Sequence, residues 1–338
     1  MPRYKLTIAY DGTDFCGWQK QEPAPTNPAG EPSVRPELVV DQDDKKLYLR
    51  TVQHIVEQAV REVVREPIDL LGASRTDAGV HAGGSFPDGA PGGQVAAFTC
   101  SQLAPEGRGW PTERGVEPMV RAINARLPDD VLVHNAEIVD DRFNPIGDCV
   151  SKGYRYTIHV SPTRPLWDRR YVCHMWKPVN IEHMKQAAAH LVGNHDFAAF
   201  AAVNHGRQTT VRTIHACDVL PLPSGERVSR KSVTGEGFSS FFKEPGASAT
   251  GHSSSLSPKK QVPSAQHEAG ERAQRIAIDV SGNGFLYNMV RIIAGTLHDV
   301  GRGKIDPDDI PAILASADRR RAGPTMPPEG LRLEWIRY

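Results

Sequence analysis

Hydrophobic and polar residues alternate in several segments of this 338-residue chain, which is the pattern of half-buried β-strands. The clearest predicted strand runs from Tyr4 to Tyr10. A second runs from Lys152 to Val160, where two tyrosines and two aliphatic residues share one face. Further strands are predicted by composition and alternation at residues 95–99, 131–138, 275–280 and 331–336.

Between these strands, apolar residues recur at helical spacing. The run that begins at Val52 predicts a helix of about four turns, with Thr51 as its N-cap. Other helices are predicted at residues 116–127, 181–191 and 285–300. Because strands and helices alternate, we expect an α/β (α+β) fold of two similar lobes, in which mixed, mainly antiparallel sheets are flanked by helices around a central cleft.

Three segments interrupt the periodic pattern. Residues 22–48 are rich in proline and acidic residues, residues 83–93 are rich in glycine, and residues 223–272 are polar. Such compositions bury little surface against the entropy of ordering the chain. We therefore expect all three to be loops inserted into a core of two lobes, residues 1–145 and 146–338.

The chain has no net positive charge that would attract a polyanionic partner such as nucleic acid. Forty basic residues offset 40 acidic ones, so any affinity for nucleic acid must come from a local basic surface. The N-terminal residues 1–5 run directly into a strand pattern without an apolar signal region, and no segment is apolar enough for a membrane span. We expect a soluble cytoplasmic protein with no membrane partner.

The five cysteines are scattered and include no Cys-x-x-Cys pair, which argues against a disulfide framework and against a zinc site. None of the 13 histidines has the spacing of a metal-ligand pair with a helical carboxylate. We therefore expect reduced thiols and no metal or other cofactor.

The residues most suited to a catalytic role lie between Gly72 and Ala82. Asp77 lies two residues after Arg75, so in extended backbone both side chains share a face and the guanidinium favours an ionised carboxylate. Gly79 then permits a sharp turn. Two interpretations fit these residues: a candidate nucleophile, and an Asp-x-Gly surface turn with a solvated ion pair.

This run resembles the catalytic signature of the TruA family of tRNA pseudouridine synthases. Four other stretches resemble family motifs in the expected order: residues 10–21, 152–156, 193–197 and 282–291. The resemblance spans nearly the whole chain. It implies the pseudouridine synthase fold with a central RNA-binding cleft, and a cofactor-free homodimer. It also implies isomerisation of uridine to pseudouridine at positions 38–40 in the tRNA anticodon stem-loop.

The resemblance also implies roles for particular residues. It makes Asp77 the essential catalytic residue, and we assign Arg75 as the cation that keeps it charged. For substrate binding it points to Tyr154 as the surface that stacks on a flipped-out uracil, to Leu331 against the base, and to Arg291 near the carboxylate. Each of the three also has a structural interpretation: Tyr154 as a core tyrosine, Leu331 as a core leucine and Arg291 as a surface arginine.

His81 follows the signature, where it holds the loop or meets a phosphate. One departure from the family pattern is Ile146, which stands where the segment after Phe143 usually has an arginine, and Arg142 is a candidate to compensate. The basic residues within 223–272 fit either a solvated loop or a contact with RNA phosphates.

Three other functions compete with the expected one. They are the same chemistry on another RNA, a catalytically idle RNA-binding protein, and a glycoside hydrolase, for which no motif nominates the required second carboxylate. The chemical route also stays open, because a carboxylate can attack C1′ of the ribose or act as a base at the sugar.

Overall fold

The computed structural model describes residues 1–22, 38–40, 47–102, 107–202, 208–223 and 273–338. Most of the expected insertions 22–48 and 223–272 therefore lie outside the described residues. Within the described ranges, no helix is both long and apolar enough to cross a bilayer. The helices are α1 (Val52–Val64), α2 (Val116–Asn124), α3 (Ile181–Ala189), α4 (Met289–Gly301) and α5 (Ile310–Ser316).

The strands, in chain order, are β1 (Arg3–Tyr10), β2 (Leu38–Val40), β3 (Leu47–Leu49), β4 (Leu71–Gly72), β5 (His81–Ala82), β6 (Gln94–Thr99), β7 (Val131–Val139), β8 (Ser151–Val160), β9 (Cys173–Met175), β10 (Gly193–Asp196), β11 (Val211–Leu222), β12 (Gln274–Gly282) and β13 (Leu331–Arg337). Six of the strands were predicted from the sequence, with ends that differ by up to two residues. The others were not predicted, and they include the 12-residue β11 and, within or at the end of the segment 22–48 expected to be a loop, the short β2 and β3.

Eleven of the strands form one mixed sheet, in which every pairing is antiparallel except β5 with β13 and β8 with β9. Strands β7, β1, β6 and β4 make the N-terminal part. Strands β10, β11, β12, β8 and β13, with β9 beside β8, make the C-terminal part. The expected mixed, mainly antiparallel sheet flanked by helices is confirmed.

The two parts of the sheet are joined by the short strand β5. Ala82 pairs with Tyr10 of β1, and His81 pairs with Arg332 of β13. This junction immediately follows the Asp77 signature in the chain, so the signature lies where the two halves of the molecule meet.

The core explains why the periodic segments fold as predicted. Strand β1 alternates between half-buried and fully buried positions, and Tyr4, Leu6 and Ile8 are completely buried. Helices α1 and α2 contact each other, and α2 packs on β7, while α3 contacts α4 and β11 on the C-terminal part. Their buried aliphatic faces belong to one hydrophobic cluster that extends through both parts.

Several predicted boundaries were wrong. Helix α4 begins at Met289 instead of residue 285, because Asn288 takes a left-handed backbone conformation with φ of 60° and ends the preceding turn. Thr51 occupies the N-cap position of α1, but its hydroxyl makes no capping hydrogen bond. Helices α2 and α3 end two or three residues before their predicted ends, and residues 193–196, where no strand was predicted, form β10 by pairing with β11.

The glycine-rich segment 83–93 is an ordered hairpin that packs on β13. The Gly92 N–H donates to the Gly84 carbonyl at 2.9 Å, and the ring of Phe86 stacks on Trp335 with centroids 5.8 Å apart. A Cβ atom on Gly84 or on Gly92 would overlap Glu334. Glycine here permits close backbone packing, which an argument from composition alone does not detect.

Candidate active site

Asp77 lies on an irregular loop, residues 73–80, between β4 and β5, and we call this segment the Asp77 loop. Two backbone hydrogen bonds hold it against the segment that follows β1, from Trp18 N–H to the Thr76 carbonyl at 3.0 Å and from Gly79 N–H to the Phe15 carbonyl at 3.2 Å. The buried hydroxyls of Tyr10 and Thr76 hydrogen-bond at 2.7 Å. The loop is therefore fixed on both sides of Asp77.

Two glycines make this close packing possible. Gly17 has a φ of +94°, and a Cβ there would lie 2.7 Å from the Thr76 carbonyl oxygen. Gly79 has a φ of +77°, and its Cβ would lie 2.8 Å from Cγ of Pro328. Both positions combine a backbone conformation that favours glycine with a contact that excludes a side chain.

The cation beside Asp77 is Arg291. Its Nη1 lies 3.4 Å from Asp77 Oδ2, and both side chains are largely buried, with 16% and 24% of their surface exposed respectively. The guanidinium also donates to the Asn288 side-chain oxygen at 2.8 Å and, through Nε, to the Met326 carbonyl at 2.6 Å. These contacts fix the guanidinium, so its position does not depend on Asp77 alone.

The expectation that Arg75 neighbours the carboxylate was wrong. The Arg75 side chain is exposed and makes no ion pair with Asp77. Residues two apart share a face only in extended backbone, but residues 75–77 lie outside any strand and a turn follows at 78–79. Arg291, assigned from sequence to the neighbourhood of the carboxylate, is its partner.

Burial dominates the electrostatics of Asp77. Desolvation raises the pKa of its carboxyl above the ordinary value for aspartate, and the charge and hydrogen bond of Arg291 oppose that rise. The anion is therefore poorly hydrated and more basic than a surface aspartate. A carboxylate in this state is suited to act as a nucleophile or as a base.

Tyr154 lies beside the Asp77 loop, as expected. Its hydroxyl hydrogen-bonds to that of Ser74 at 2.9 Å, and its ring meets the ring of Phe285 edge-on with centroids 5.2 Å apart. The residue is 8% exposed, and burial raises the pKa of the hydroxyl to about 12. Tyr154 therefore stays protonated at neutral pH and offers a fixed hydrogen-bonding group next to the carboxylate.

Leu331 lies at the start of β13 and His81 at the start of β5. Leu331 pairs with Tyr156 and belongs to the hydrophobic core. The buried His81 places Nδ1 3.0 Å from the Gly12 nitrogen and 3.2 Å from Asp11 Oδ1. His81 thus joins the end of the Asp77 loop to the segment after β1, in agreement with a role in holding the loop.

Sequence reasoning missed three supporting groups. Ser74 orients Tyr154, and Asn288 and the Met326 carbonyl orient Arg291. Asn288 belongs to the motif at 282–291, but its left-handed backbone has no separate sequence signal. Met326 lies 35 residues after Arg291, so only the fold brings them together. Among the residues that the structure describes, no group of His, Cys, Asp and Glu side chains is arranged to hold a metal ion.

Comparison with known proteins places this arrangement in a family. A family model described as tRNA pseudouridine synthase matches residues 187–338. The chain is 34% identical to tRNA pseudouridine synthase A of Geotalea uraniireducens and 33% identical to the protein of that name from Ruminiclostridium cellulolyticum. Each alignment covers 338 residues and the whole of both chains. A third protein of that name, from Acetivibrio thermocellus, is 34% identical over 340 aligned positions, again covering both chains completely.

The mixed sheet flanked by helices is that of a pseudouridine synthase, an isomerase that modifies RNA. On the full-length similarity to these relatives, the chain belongs to the tRNA pseudouridine synthase A family.

Proposed function

We propose that this protein isomerises uridine to pseudouridine in the anticodon stem-loop of tRNA, with Asp77 as the catalytic carboxylate. The observation that carries the proposal is the pair that Asp77 forms with Arg291 of α4, 3.4 Å apart, where the loop that carries Asp77 is fixed at the junction of the two sheet parts. In a buried site such a pair supplies an anion held in a defined position, without any cofactor.

The reaction changes connectivity only. The N1–C1′ bond of uridine breaks, the base rotates, a C5–C1′ bond forms, C5 loses its proton and N1 gains one. Asp77 serves this sequence in one of two ways: its oxygen attacks C1′ as uracil leaves, or it removes a proton from C2′ of the ribose. In both cases the anion is the reactive form, and Arg291 favours it against the burial that raises the pKa of the carboxyl.

A uridine stacked in a stem cannot reach a carboxylate in a buried site, so the nucleotide must leave the stack, at a cost of a few kcal/mol. In the proposal Tyr154 contacts the extruded uracil and its protonated hydroxyl donates a hydrogen bond to the base. Arg75, exposed two residues before Asp77, contacts the RNA near the extruded nucleotide. His81 holds the loop, and Leu331 supports the base from the start of β13.

A homodimer and a cytoplasmic location belong to the same proposal. The dimer follows from the resemblance to the TruA family, and the location from the tRNA substrate. Light scattering of the purified protein tests the first: a mass of twice 37.0 kDa supports the dimer, and 37.0 kDa contradicts it.

The proposal is tested by incubating the purified protein with anticodon-arm transcripts that carry uridine at different positions, with tritium at C5 of the uracil. Because C5 loses its hydrogen when it bonds to C1′, tritium release reports turnover, and mapping the product reports the site. Release that depends on stem-loop uridines supports the proposal. An absence of release together with tight tRNA binding favours an idle RNA-binding protein, and release from an rRNA fragment alone favours another substrate.

A further inference from the structure

The connection between β8 and β9 carries exposed aromatic, aliphatic and charged side chains that have no role in the proposed active site. We call residues 162–171 the β8–β9 loop. At its tip Trp167 is 86% exposed and Leu166 is 65% exposed. Apolar side chains this large and this exposed are unusual in a folded protein when they are adjacent. The sequence around them contains three arginines and one aspartate.

The backbone of this loop is held in place at several points. The Asp168 carboxylate forms an ion pair with Arg275 of β12, and the Tyr171 N–H donates to the Asp168 carbonyl at 2.8 Å. The Arg169 guanidinium donates to the Leu166 carbonyl at 2.9 Å. Trp167 is therefore presented to solvent by an ordered segment, which lowers the entropy that a ligand must overcome on contact.

The C-terminal end of the same loop contacts the active-site region. The Tyr171 hydroxyl donates to Asp11 Oδ2 at 2.7 Å, and the Tyr171 ring lies 5.2 Å from the ring of His81. Arg170 pairs with Asp14 at 3.2 Å. Because His81 directly follows the Asp77 loop, the β8–β9 loop is anchored beside the segment that carries Asp77.

The charged side chains of the β8–β9 loop indicate the chemical class of its ligand. The acidic residue of the loop is neutralised by Arg275, and Arg170 is neutralised by Asp14. Arg164 and Arg169 are exposed and have no acidic partner within the described part of the chain. Two uncompensated guanidinium groups beside an exposed indole suit a polyanion with flat rings: the arginines meet phosphates, and the indole stacks on a base.

We propose that the β8–β9 loop is a binding surface for the tRNA substrate, on which Trp167 stacks against a nucleobase outside the reactive nucleotide while Arg164 contacts the phosphate backbone. This inference rests on the proposed function for the identity of the RNA. A second copy of this chain is the competing occupant. The unpaired arginines disfavour it, because like charges on identical loops would repel.

The test compares three variants of the full-length protein in binding titrations with tRNA and in turnover assays. Trp167→Ala removes the stacking surface, and we expect about tenfold weaker binding, a rise in KM and little change in kcat. Trp167→Phe keeps an aromatic face and restores most of the affinity. Trp176→Ala is the matched control, because Trp176 is also exposed, at 62%, but lies beyond the far end of β9.

The charge is tested separately. In Arg164→Gln, the slope of log affinity against log salt concentration should fall by about one. Binding by Trp167→Ala equal to wild type, or a change in oligomeric mass without a change in tRNA affinity, overturns the proposal. Thermal unfolding of each variant verifies folding. Binding decides the role of the loop and wild-type tritium release decides the proposed function, so either can fail while the other stands.

Discussion

The guanidinium of Arg291 lies 3.4 Å from the carboxylate of Asp77, although 214 residues separate the two in the chain. The pair joins a loop of the N-terminal part of the sheet to a helix of the C-terminal part. Neither half alone therefore contains the candidate site, and the ionisation of Asp77 depends on how the two halves fit together.

Removing the charge of Arg291 should alter the pH dependence of turnover. Burial already raises the pKa of Asp77, and Arg291 opposes that rise, so Arg291→Met raises it further. Activity requires the anion, so the acidic limb of the kcat profile should move to higher pH, and kcat at neutral pH should fall by about 100-fold.

A suitable control is Arg155→Met, which removes a different arginine–aspartate pair, the one that Arg155 of β8 forms with Asp279 of β12. It should leave the acidic limb where it is in the wild type. An unchanged limb in Arg291→Met would show that this arginine does not set the ionisation of the catalytic group.

Gly79 offers a test of loop geometry. Alanine at this position meets both an unfavourable φ of +77° and Cγ of Pro328 at 2.8 Å. Gly79→Ala should lower the free energy of unfolding by about 1–2 kcal/mol from the backbone alone, and displacement of Asp77 should lower kcat about 100-fold.

Gly89→Ala separates these effects, because Gly89 has a φ of +87° with no atom near its Cβ position. In urea unfolding it should lose similar stability, yet its turnover should match the wild type. If both alanine variants retained full activity, precise placement of Asp77 by the turn would not be required.

The hydroxyl of Tyr154 should matter as a proton-bearing group. Its pKa is raised to about 12, so it remains protonated through neutral and moderately alkaline pH. Tyr154→Phe keeps the ring and its contact with Phe285, and we expect kcat to fall about 100-fold while tRNA affinity is unchanged.

Tyr4→Phe is the matched control, since the Tyr4 hydroxyl is buried and has no hydrogen-bond partner among the described residues. This variant should turn over like the wild type. Full activity in Tyr154→Phe would restrict Tyr154 to a packing role.

Six of the strands, the first helix and the loop that carries Asp77 were predictable from the sequence, because those features depend on local periodicity and on a motif of adjacent residues. Residue spacing predicted the wrong cation beside Asp77, since Arg75 is next to Asp77 only along the chain. The contacts of Arg291 with Asn288 and with the Met326 carbonyl depend on tertiary packing and on one left-handed residue. The ordered hairpin at 83–93 was missed because glycine marks flexible loops and tight backbone packing equally well.

Replacing the Asp77 carboxylate with an amide should raise the stability of the folded protein at neutral pH while it lowers activity. Because the folded-state pKa is raised, the folded protein binds more protons than the unfolded chain just above the ordinary aspartate pKa, and its stability falls as pH rises through that window. Asp77→Asn has no such group. It should therefore unfold at a higher temperature than the wild type at neutral pH, with the difference vanishing in acid. A lower unfolding temperature at neutral pH would mean that the pair with Arg291 more than offsets the burial of the charge.

Tritium release from C5-labelled anticodon-arm RNA with the Asp77→Asn protein, alongside a tRNA binding titration, decides whether Asp77 performs the chemistry. We expect release to be lost while tRNA affinity stays within about twofold of the wild type, since the substitution keeps the shape of the side chain and removes only its charge. Release at a rate near that of the wild type would contradict this expectation.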